Sequence, residues 1–474
     1  MPTAAALGIP SPGDWNPGLS TDPRVGSLVG ALGEAVVTDA DIVASLGTEM
    51  TPAVVPGTAL AAVRARRTSD VVTALRWASE HAVPVVPRGA GTSISGGASA
   101  LEGSLVLSLA GMDDITELDV ENAVAVVEPG VITAVLDRAA GEHGLMYAPD
   151  PGSYETSTIG GNIATNAGGL RCVRYGVTRE SVLGLEVVLA DGRLLKTGRR
   201  TAKGVVGYDL TSLFVGSEGT LGVVVSAVLK LHRRPSRPPA TFVATFSDLA
   251  DAGRAVGAIM SSDVVPSMLE LLDRTTLAAL DSWRKTGLAS DCAGMLIGQV
   301  DRPAAGDLHL LQRCLEAAGS LDVALTEDAR EAAELVNIRR LAYPALERLG
   351  ACLVEDVCVP RSRLPEMMQT IAAIAAKYEV TVACAGHAGD GNVHPVFIYE
   401  PAPGAGVPEP VWAAADEVFR AALDLGGTLT GEHGVGSLKQ RWVAAELGTE
   451  SLAVHASIKA ALDPAGILNP GRAF

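Results

Sequence analysis

Residues 148–176, APDPGSYETSTIGGNIATNAGGLRCVRYG, constrain the fold of this chain more than any other stretch. They hold two Gly-Gly pairs, Gly160–Gly161 and Gly168–Gly169, with small and polar residues between them. Such a run is neither an ordinary strand nor an ordinary helix. It lets backbone approach a large flat ligand closely and offers many amide and hydroxyl donors. Long loops of this kind inside a compact domain are usually functional. Two more clusters share the character: RGAGTSISGG (88–97), after the strand-like VPVVP (83–87), and GSEGTLGVV (216–224), which could close the same site. The first could cradle phosphate with its N–H groups. It lacks the third glycine of GxGxxG, and no GK[ST] follows, so it is neither the dinucleotide fingerprint nor a P-loop.

A second pair of loops carries different chemistry. Residues 385–397 read AGHAGDGNVHPVF and residues 426–436 read GGTLTGEHGVG. Together they offer His387, His394 and Glu432, and two imidazoles with a carboxylate suit a divalent metal with open positions. His433 stands beside the carboxylate and could act as a base. Three of the 8 histidines fall in these two loops, which speaks for a site rather than packing. His81, His143, His232, His309 and His455 lie outside them and read as structural. Cys384, near His387, reads as a buried inert thiol rather than a fourth ligand.

The rest of the chain alternates short strands and helices, an α+β pattern rather than a regular βαβ array. Residues 69–81 predict a helix with Ser69 as N-cap. Strands are expected at 83–87, 104–109, 123–128 and 222–232, and a helix at 131–143 ending at Gly144. Residues 184–197 predict a hairpin with a type I′ turn at Asp191–Gly192. RRPSRPP (233–239) is the best boundary candidate. Beyond it lie helical patterns at 364–378 and 411–425. The expected division is a helical extension over 1–49, one domain over 50–235, a second over 236–454 and a tail over 455–474.

With 474 residues, 48% of them hydrophobic, the chain can bury substantial cores. Its net charge of −17 argues against a nucleic-acid partner. Six cysteines without a CxxC exclude the usual iron–sulfur spacing and any disulfide framework. The first residues show no basic n-region or long apolar run, so no signal peptide is expected and a cytoplasmic location is. Membrane contact, if any, would come through a partner.

The motifs PRGAGTSISGG, PDPGS, TIGGNIATNAGGLRCVRYG, GLEVVLADG, LFVGSEGTLGVV, GHAGDGNVHP, GEHGVG and LDPAGILNPG occur in that order and resemble the FAD-linked oxidases with a vanillyl-alcohol-oxidase type (PCMH-type) flavin domain. Within them the chain is most similar to the D-2-hydroxyacid dehydrogenase branch, which holds the flavin subunit of bacterial glycolate oxidase and D-lactate dehydrogenases. The resemblance covers nearly everything from about residue 50. It implies a two-subdomain FAD-binding domain and an α+β cap domain with an antiparallel sheet. It implies that Pro87, Arg88, Gly89, Ala90, Gly91, Thr92, Ser93, Gly96 and Gly97 hold the FAD pyrophosphate. Pro151, Ser153, Ser157, Gly160, Gly161, Asn162, Thr165, Ala167, Gly168, Tyr175 and Gly176 would line the flavin. Glu218, Gly219, Val224 and Asn469 would complete the pocket, which brings the C-terminal tail back to the flavin domain. No histidine stands in the first Gly-rich loop, so the FAD is expected to be non-covalent. His387, His394 and Glu432 resemble the family's metal site, with His433 as base. Zinc fits the ligand set, and Fe²⁺ or Mn²⁺ is also compatible. In IRRLAYPAL, Arg339 matches the arginine that holds the substrate carboxylate, with Arg340 as the alternative.

Two departures bear on the substrate. Family members that act on 2-hydroxyglutarate carry a lysine and an asparagine where this chain has Val354 and Val396. A second substrate carboxylate would then be buried unpaired. The resemblance therefore implies a small D-2-hydroxy acid, glycolate or D-lactate, oxidised to its 2-oxo acid, with a larger 2-hydroxy acid as the alternative substrate. The electron acceptor stays open among oxygen, cytochrome, an iron–sulfur subunit, quinone and an electron-transferring flavoprotein. Oligomeric state stays open too, a homodimer included. Two rivals remain: a flavin subunit that works only inside a complex, and a metal-dependent hydrolase without flavin, which would leave the first-half glycine clusters unexplained.

Overall fold

A computed structural model describes residues 22–201, 203–285, 287, 292–401 and 406–473. The first half builds two larger sheets and a two-stranded pairing of Leu145–Met146 with His232–Arg233. One runs in the order Val36–Val37, Ala61–Arg64, Leu105–Ser108, Val85–Arg88. Its last three strands are parallel, with the helix Thr68–Glu80 between Ala61–Arg64 and Val85–Arg88 in the chain. Ala61, Ala62, Val63 and the whole of Leu105–Ser108 are buried, as parallel strands covered on both faces must be. The other sheet is antiparallel, in the order Ile115–Asp119, Val124–Val127, Val223–Lys230, Val182–Val188, Leu194–Gly198. Along Val223–Lys230 every second residue is buried. Val223 and Val225 join the core of the first sheet, and Ala227 and Leu229 join that of the second, so this strand ties the two together.

The second half is one antiparallel sheet in the order Ser320–Thr326, Ala240–Phe246, Gly294–Val300, Met268–Asp273, Thr381–His387, Asn392–Tyr399, Ala351–Val354, with Val357–Cys358 also paired to Asn392–Tyr399. Strand alternation divides its residues between two faces. Leu269, Leu271, Val393 and Phe397 pack on the helices Leu364–Tyr378 and Glu409–Asp424. Truncating the fully buried Phe397 to alanine would cost about 3–5 kcal/mol. The opposite face bears Met268, Leu272, Ala385 and Val396, packed with Leu170 from the Gly-Gly segment of the first half. Glu270, His387 and His394 share that face: Leu272 pairs with Ala385, Ala385 with His394, and His387 with Asn392. A one-residue register slip would send all three into the helix-packed core.

Residues 467–469 come back to the first sheet. Val85 N–H donates to the Ile467 carbonyl and Asn469 N–H to the Val85 carbonyl, both at 2.8 Å. Of the expected helical extension over 1–49, residues 1–21 lie outside the described residues. The remainder forms the helices Pro23–Leu32 and Ala40–Leu46 and the short strand Val36–Val37.

The local expectations hold with three corrections. The helix at 364–378 runs over Leu364–Tyr378, and that at 411–425 over Glu409–Asp424. The first helix starts at Thr68 after Arg67, so Ser69 lies inside it rather than at the N-cap. There Asp70 accepts from Arg66 N–H at 3.1 Å, tying the first turn to the segment ahead of the helix. The helix expected at 131–143 shortens to Thr133–Gly141, although Gly144 does take a positive φ of 69°. The turn at Asp191–Gly192 is not type I′, since only Gly192 has positive φ. Leu189 and Arg193 flank a three-residue loop closed by Gly192 N–H to Leu189 at 2.9 Å.

Candidate active site

His387, His394 and Glu432 converge, with one ligand atom from each lying within 4.8 Å of the others. Glu432 Oε1 is 3.2 Å from His387 Nε2, 3.3 Å from His394 Nε2 and 3.5 Å from His433 Nε2. The rings of His394 and His433 stack at 4.9 Å, and His387 meets His394 edge-on at 5.1 Å. His387 and His394 stand on neighbouring strands of the second-half sheet. Glu432 and His433 come from the loop before the helix Gln440–Leu462.

Partners outside the cluster hold it. His387 Nδ1 lies 2.8 Å from Glu270 Oε1 and 2.9 Å from Oε2. Donation from Nδ1–H to Glu270 fixes the ring so that Nε2 faces Glu432, 3.2 Å away. Burial works against charge on His387, yet Glu270 and Glu432 beside it win and raise its pKa well above the usual value. Burial holds His394 well below its usual value, so its imidazole is neutral, the form a metal takes. Burial alone would keep Glu432 protonated, but His387 and its neighbours drive it well below the ordinary carboxylate range. A neutral imidazole, an ionised carboxylate and a second imidazole whose Nε2 proton a divalent ion would displace make a donor set that fits such an ion.

Asp356 organises the loop. Its Oδ2 accepts from Gly431 N–H at 2.6 Å and Glu432 N–H at 2.8 Å, while Oδ1 accepts from Thr430 Oγ1 at 2.8 Å and Lys439 Nζ at 2.5 Å. His433 Nδ1 stands 3.6 Å from Asp356 Oδ1. Although burial disfavours a charge there, Lys439 and His433 keep the Asp356 carboxyl far below its ordinary range. Burial lowers the His433 pKa, but Asp356 and Glu432 more than reverse that and raise it.

These groups open onto a cavity of about 560 Å³ between the halves. Its wall takes in Pro87, Arg88, Gly89, Ala90, Gly91, Thr92, Ser93 and Gly97 from the first Gly-rich loop. Pro151, Ser153, Gly160, Gly161, Asn162, Thr165, Ala167 and Gly168 follow from the second, and Glu218, Gly219 and Val224 from the third. His387, His394, Glu432, His433, Arg339 and Arg340 complete it. Gly168 approaches the His387–His394–Glu432 cluster so closely that a Cβ there would collide with Glu432. Arg339 Nε donates to Glu270 at 2.8 Å, which leaves the two Nη nitrogens for a ligand. Arg340 reaches over the Tyr154 ring at 5.8 Å. Five residues that the resemblance gave to the flavin lie off this wall. The Tyr175 hydroxyl donates to Asp301 at 2.6 Å, and Gly176 ends the short helix Cys172–Tyr175. Ser157 packs on Thr133, Gly96 donates to Glu49, and Asn469 donates to the Gly97 and Glu218 carbonyls. Cys384 is buried with its thiol 3.8 Å from the Met368 sulfur, away from the cluster.

Residues 59–198 match the family described as FAD binding domain, and residues 236–473 match FAD linked oxidases, C-terminal domain. The chain belongs to the FAD-linked oxidases. A glycolate oxidase subunit GlcD of Bacillus subtilis (strain 168) is 43% identical over 418 residues, covering 87% of this chain and 88% of that protein. A D-lactate dehydrogenase of Archaeoglobus fulgidus is 34% identical over 439 residues, covering 90% and 94%. Among solved structures, p-cresol methylhydroxylase with substrate bound superposes with a TM-score of 0.78 at 20% identity, covering 95% of this chain and 96% of that one. This FAD-linked oxidase is thus an FAD-dependent oxidoreductase with the α+β, PCMH-type fold. Among the described residues no helix is long and apolar enough to cross a membrane.

Sequence reasoning about this FAD-linked oxidase missed Glu270, Asp356 and Lys439. Glu270 sits in MLELLD, where an acid flanked on both sides by apolar residues was the available signal. Lys439 is 2% exposed and also donates to the Leu429 carbonyl at 3.0 Å. Nothing in its sequence neighbourhood separates it from a surface lysine.

Proposed function

We propose that this FAD-dependent oxidoreductase oxidises a small D-2-hydroxy monocarboxylate, glycolate or D-lactate, to the 2-oxo acid. The observation that carries the reading is the meeting of Arg339, His433 and the His387–His394–Glu432 cluster with the Gly-rich wall on one cavity. The names of the relatives, a glycolate oxidase subunit and a D-lactate dehydrogenase, support the same substrate class. When bound, FAD supplies the acceptor for the Cα hydride, and a divalent metal, with zinc the best match to the ligands, lowers the pKa of the substrate hydroxyl. His387, His394 and Glu432 would hold that metal. Residues 50–235 would serve the flavin and 236–454 the substrate.

The chain's own groups divide the remaining work. The Nη donors of Arg339 grip the substrate carboxylate in a two-point fork. Nε2 of His433 takes the hydroxyl proton, and the imidazolium so formed is stabilised by Asp356 at 3.6 Å from Nδ1. Val354, Val396 and Ala385 line the same cavity and offer no partner to a second carboxylate.

A visible spectrum of the purified protein, followed by anaerobic addition of glycolate and of D-lactate separately, tests the reading. Bleaching of the flavin bands by one of them is the expected result. Flavin that bleaches with neither would discard the small monocarboxylate. A second reading rests on the word subunit in the name of the B. subtilis relative: oxidation that needs a partner protein, such as an iron–sulfur subunit. Turnover of the isolated chain with an artificial acceptor dye would rule that requirement out.

A further inference from the structure

Four hydrogen bonds and a close approach join the Gly-rich wall of the first half to the loop that carries Glu432 and His433. Glu218, 7% exposed, accepts from Val435 N–H at 2.7 Å through Oε1 and from Gly436 N–H at 2.8 Å through Oε2. The Ser95 carbonyl accepts from Ser437 N–H at 3.0 Å and Leu438 N–H at 3.1 Å. Gly436, at φ 53°, lies so near Ser95 that a Cβ would collide with that carbonyl.

Glu218 is itself rigidly held. It adopts φ 51°, rare for a residue with a side chain. Its N–H donates to Ala164 at 2.8 Å, inside the Gly-Gly segment, and its carbonyl accepts from Asn469 Nδ2 at 2.8 Å. Burial pushes its carboxyl up to about 6, against the pull of the two N–H donors. A carboxylate fixed at its backbone and bidentate to two consecutive amides defines the position of those amides closely.

We propose that Glu218 is a positioning residue for the loop of Glu432 and His433, latching Val435 and Gly436 so that metal ligand and base sit at a fixed distance from the flavin wall. This rests on the metal reading of His387, His394 and Glu432, and it gives Glu218 a task other than contact with flavin. Supporting groups of metal sites typically contribute about 10–100-fold in affinity or activity.

The test uses Glu218→Gln in the full-length chain, with three measurements: flavin content, metal affinity by chelator competition, and amide exchange at Val435 and Gly436. The amide side chain keeps one acceptor and turns N–H donors toward an amide N–H. Expected are retained flavin, faster exchange at both amides and metal affinity at least 10-fold weaker. Gly436→Ala, which leaves Glu218 intact and pushes the loop off Ser95, should weaken metal affinity likewise, and it serves if Glu218→Gln does not fold. Loss of flavin with unchanged exchange and metal affinity would overturn the proposal and make Glu218 a flavin contact. Faster exchange with unchanged metal affinity would overturn it as well. A wild-type chain that binds no metal would refute the metal reading instead, and the exchange rates would still report on the latch.

Discussion

Glu270 holds His387 and Arg339 at once, lying 2.8 Å from Nδ1 of the first and 2.8 Å from Nε of the second. Its side chain is fully buried, and that of Arg339 is only 12% exposed. One carboxylate therefore sets the spacing between the proposed metal and the proposed carboxylate clamp. In Glu270→Gln, metal affinity should fall about 10–100-fold and apparent KM should rise, because both groups lose the same support. Leaving Arg339 without its partner should also cost about 3–5 kcal/mol of stability. Metal content after dialysis against a chelator, read with KM, checks this. Unchanged metal content alongside a raised KM would assign Glu270 to Arg339 alone.

His433→Ala should lower the rate of flavin reduction by about 10²–10⁴-fold if its imidazole takes the hydroxyl proton. Flavin content should be unchanged. Rapid mixing of the loaded enzyme with substrate under anaerobic conditions measures the step directly. A near-normal rate would reject the assignment.

Val354 and Val396 are paired on neighbouring strands. The double variant Val354→Lys/Val396→Asn should admit a second carboxylate and move kcat/KM from glycolate or D-lactate toward 2-hydroxyglutarate. One hydrogen-bonded charge contributes about 1.5–3 kcal/mol, so a shift of at least 10-fold in the ratio is expected. An unchanged ratio would place the substrate's far end elsewhere.

Asp273 caps the helix Arg274–Arg284, accepting from Thr276 N–H at 2.8 Å. Burial lifts its carboxyl from the ordinary 3.8 to about 6. Its folded pKa thus exceeds the unfolded one, so its contribution is full below about pH 4 and is lost as pH rises through 6. At 1.36 kcal/mol per unit, the loss is on the order of 3 kcal/mol. Asp273→Asn keeps the cap without titrating. Denaturant unfolding at pH 4 and pH 7 should show the variant gaining on the wild type with rising pH. A gap independent of pH would show that Asp273 titrates normally in the folded chain.

The sequence displayed most of what is local. Glycine pairs, turn residues and the two histidine loops mark themselves because their chemistry sits within a few positions, as His387 and His394 do. The long helices were legible from their apolar period, and Leu364–Tyr378 falls where that period put it. What escaped depends on contacts far apart in the chain. Glu270 lies 117 residues from His387 and Asp356 lies 77 from His433, so no window of sequence contains both members. The three-residue turn closed by Gly192 was missed for another reason: Asp-Gly serves two turn types, and hairpin register chooses between them.

The return of residues 467–469 to the first sheet has a consequence for synthesis. Asn469 closes onto Glu218 from 251 residues downstream and onto Gly97 from 372. At about 5–20 residues per second, a ribosome takes roughly 10–50 s to cover the shorter span. Through that interval Val85, on the edge strand of the first sheet, lacks the two backbone partners that Ile467 and Asn469 supply. The Gly97 and Glu218 carbonyls, each on a Gly-rich loop, thus gain their shared Asn469 donor only after both halves of the chain have been made.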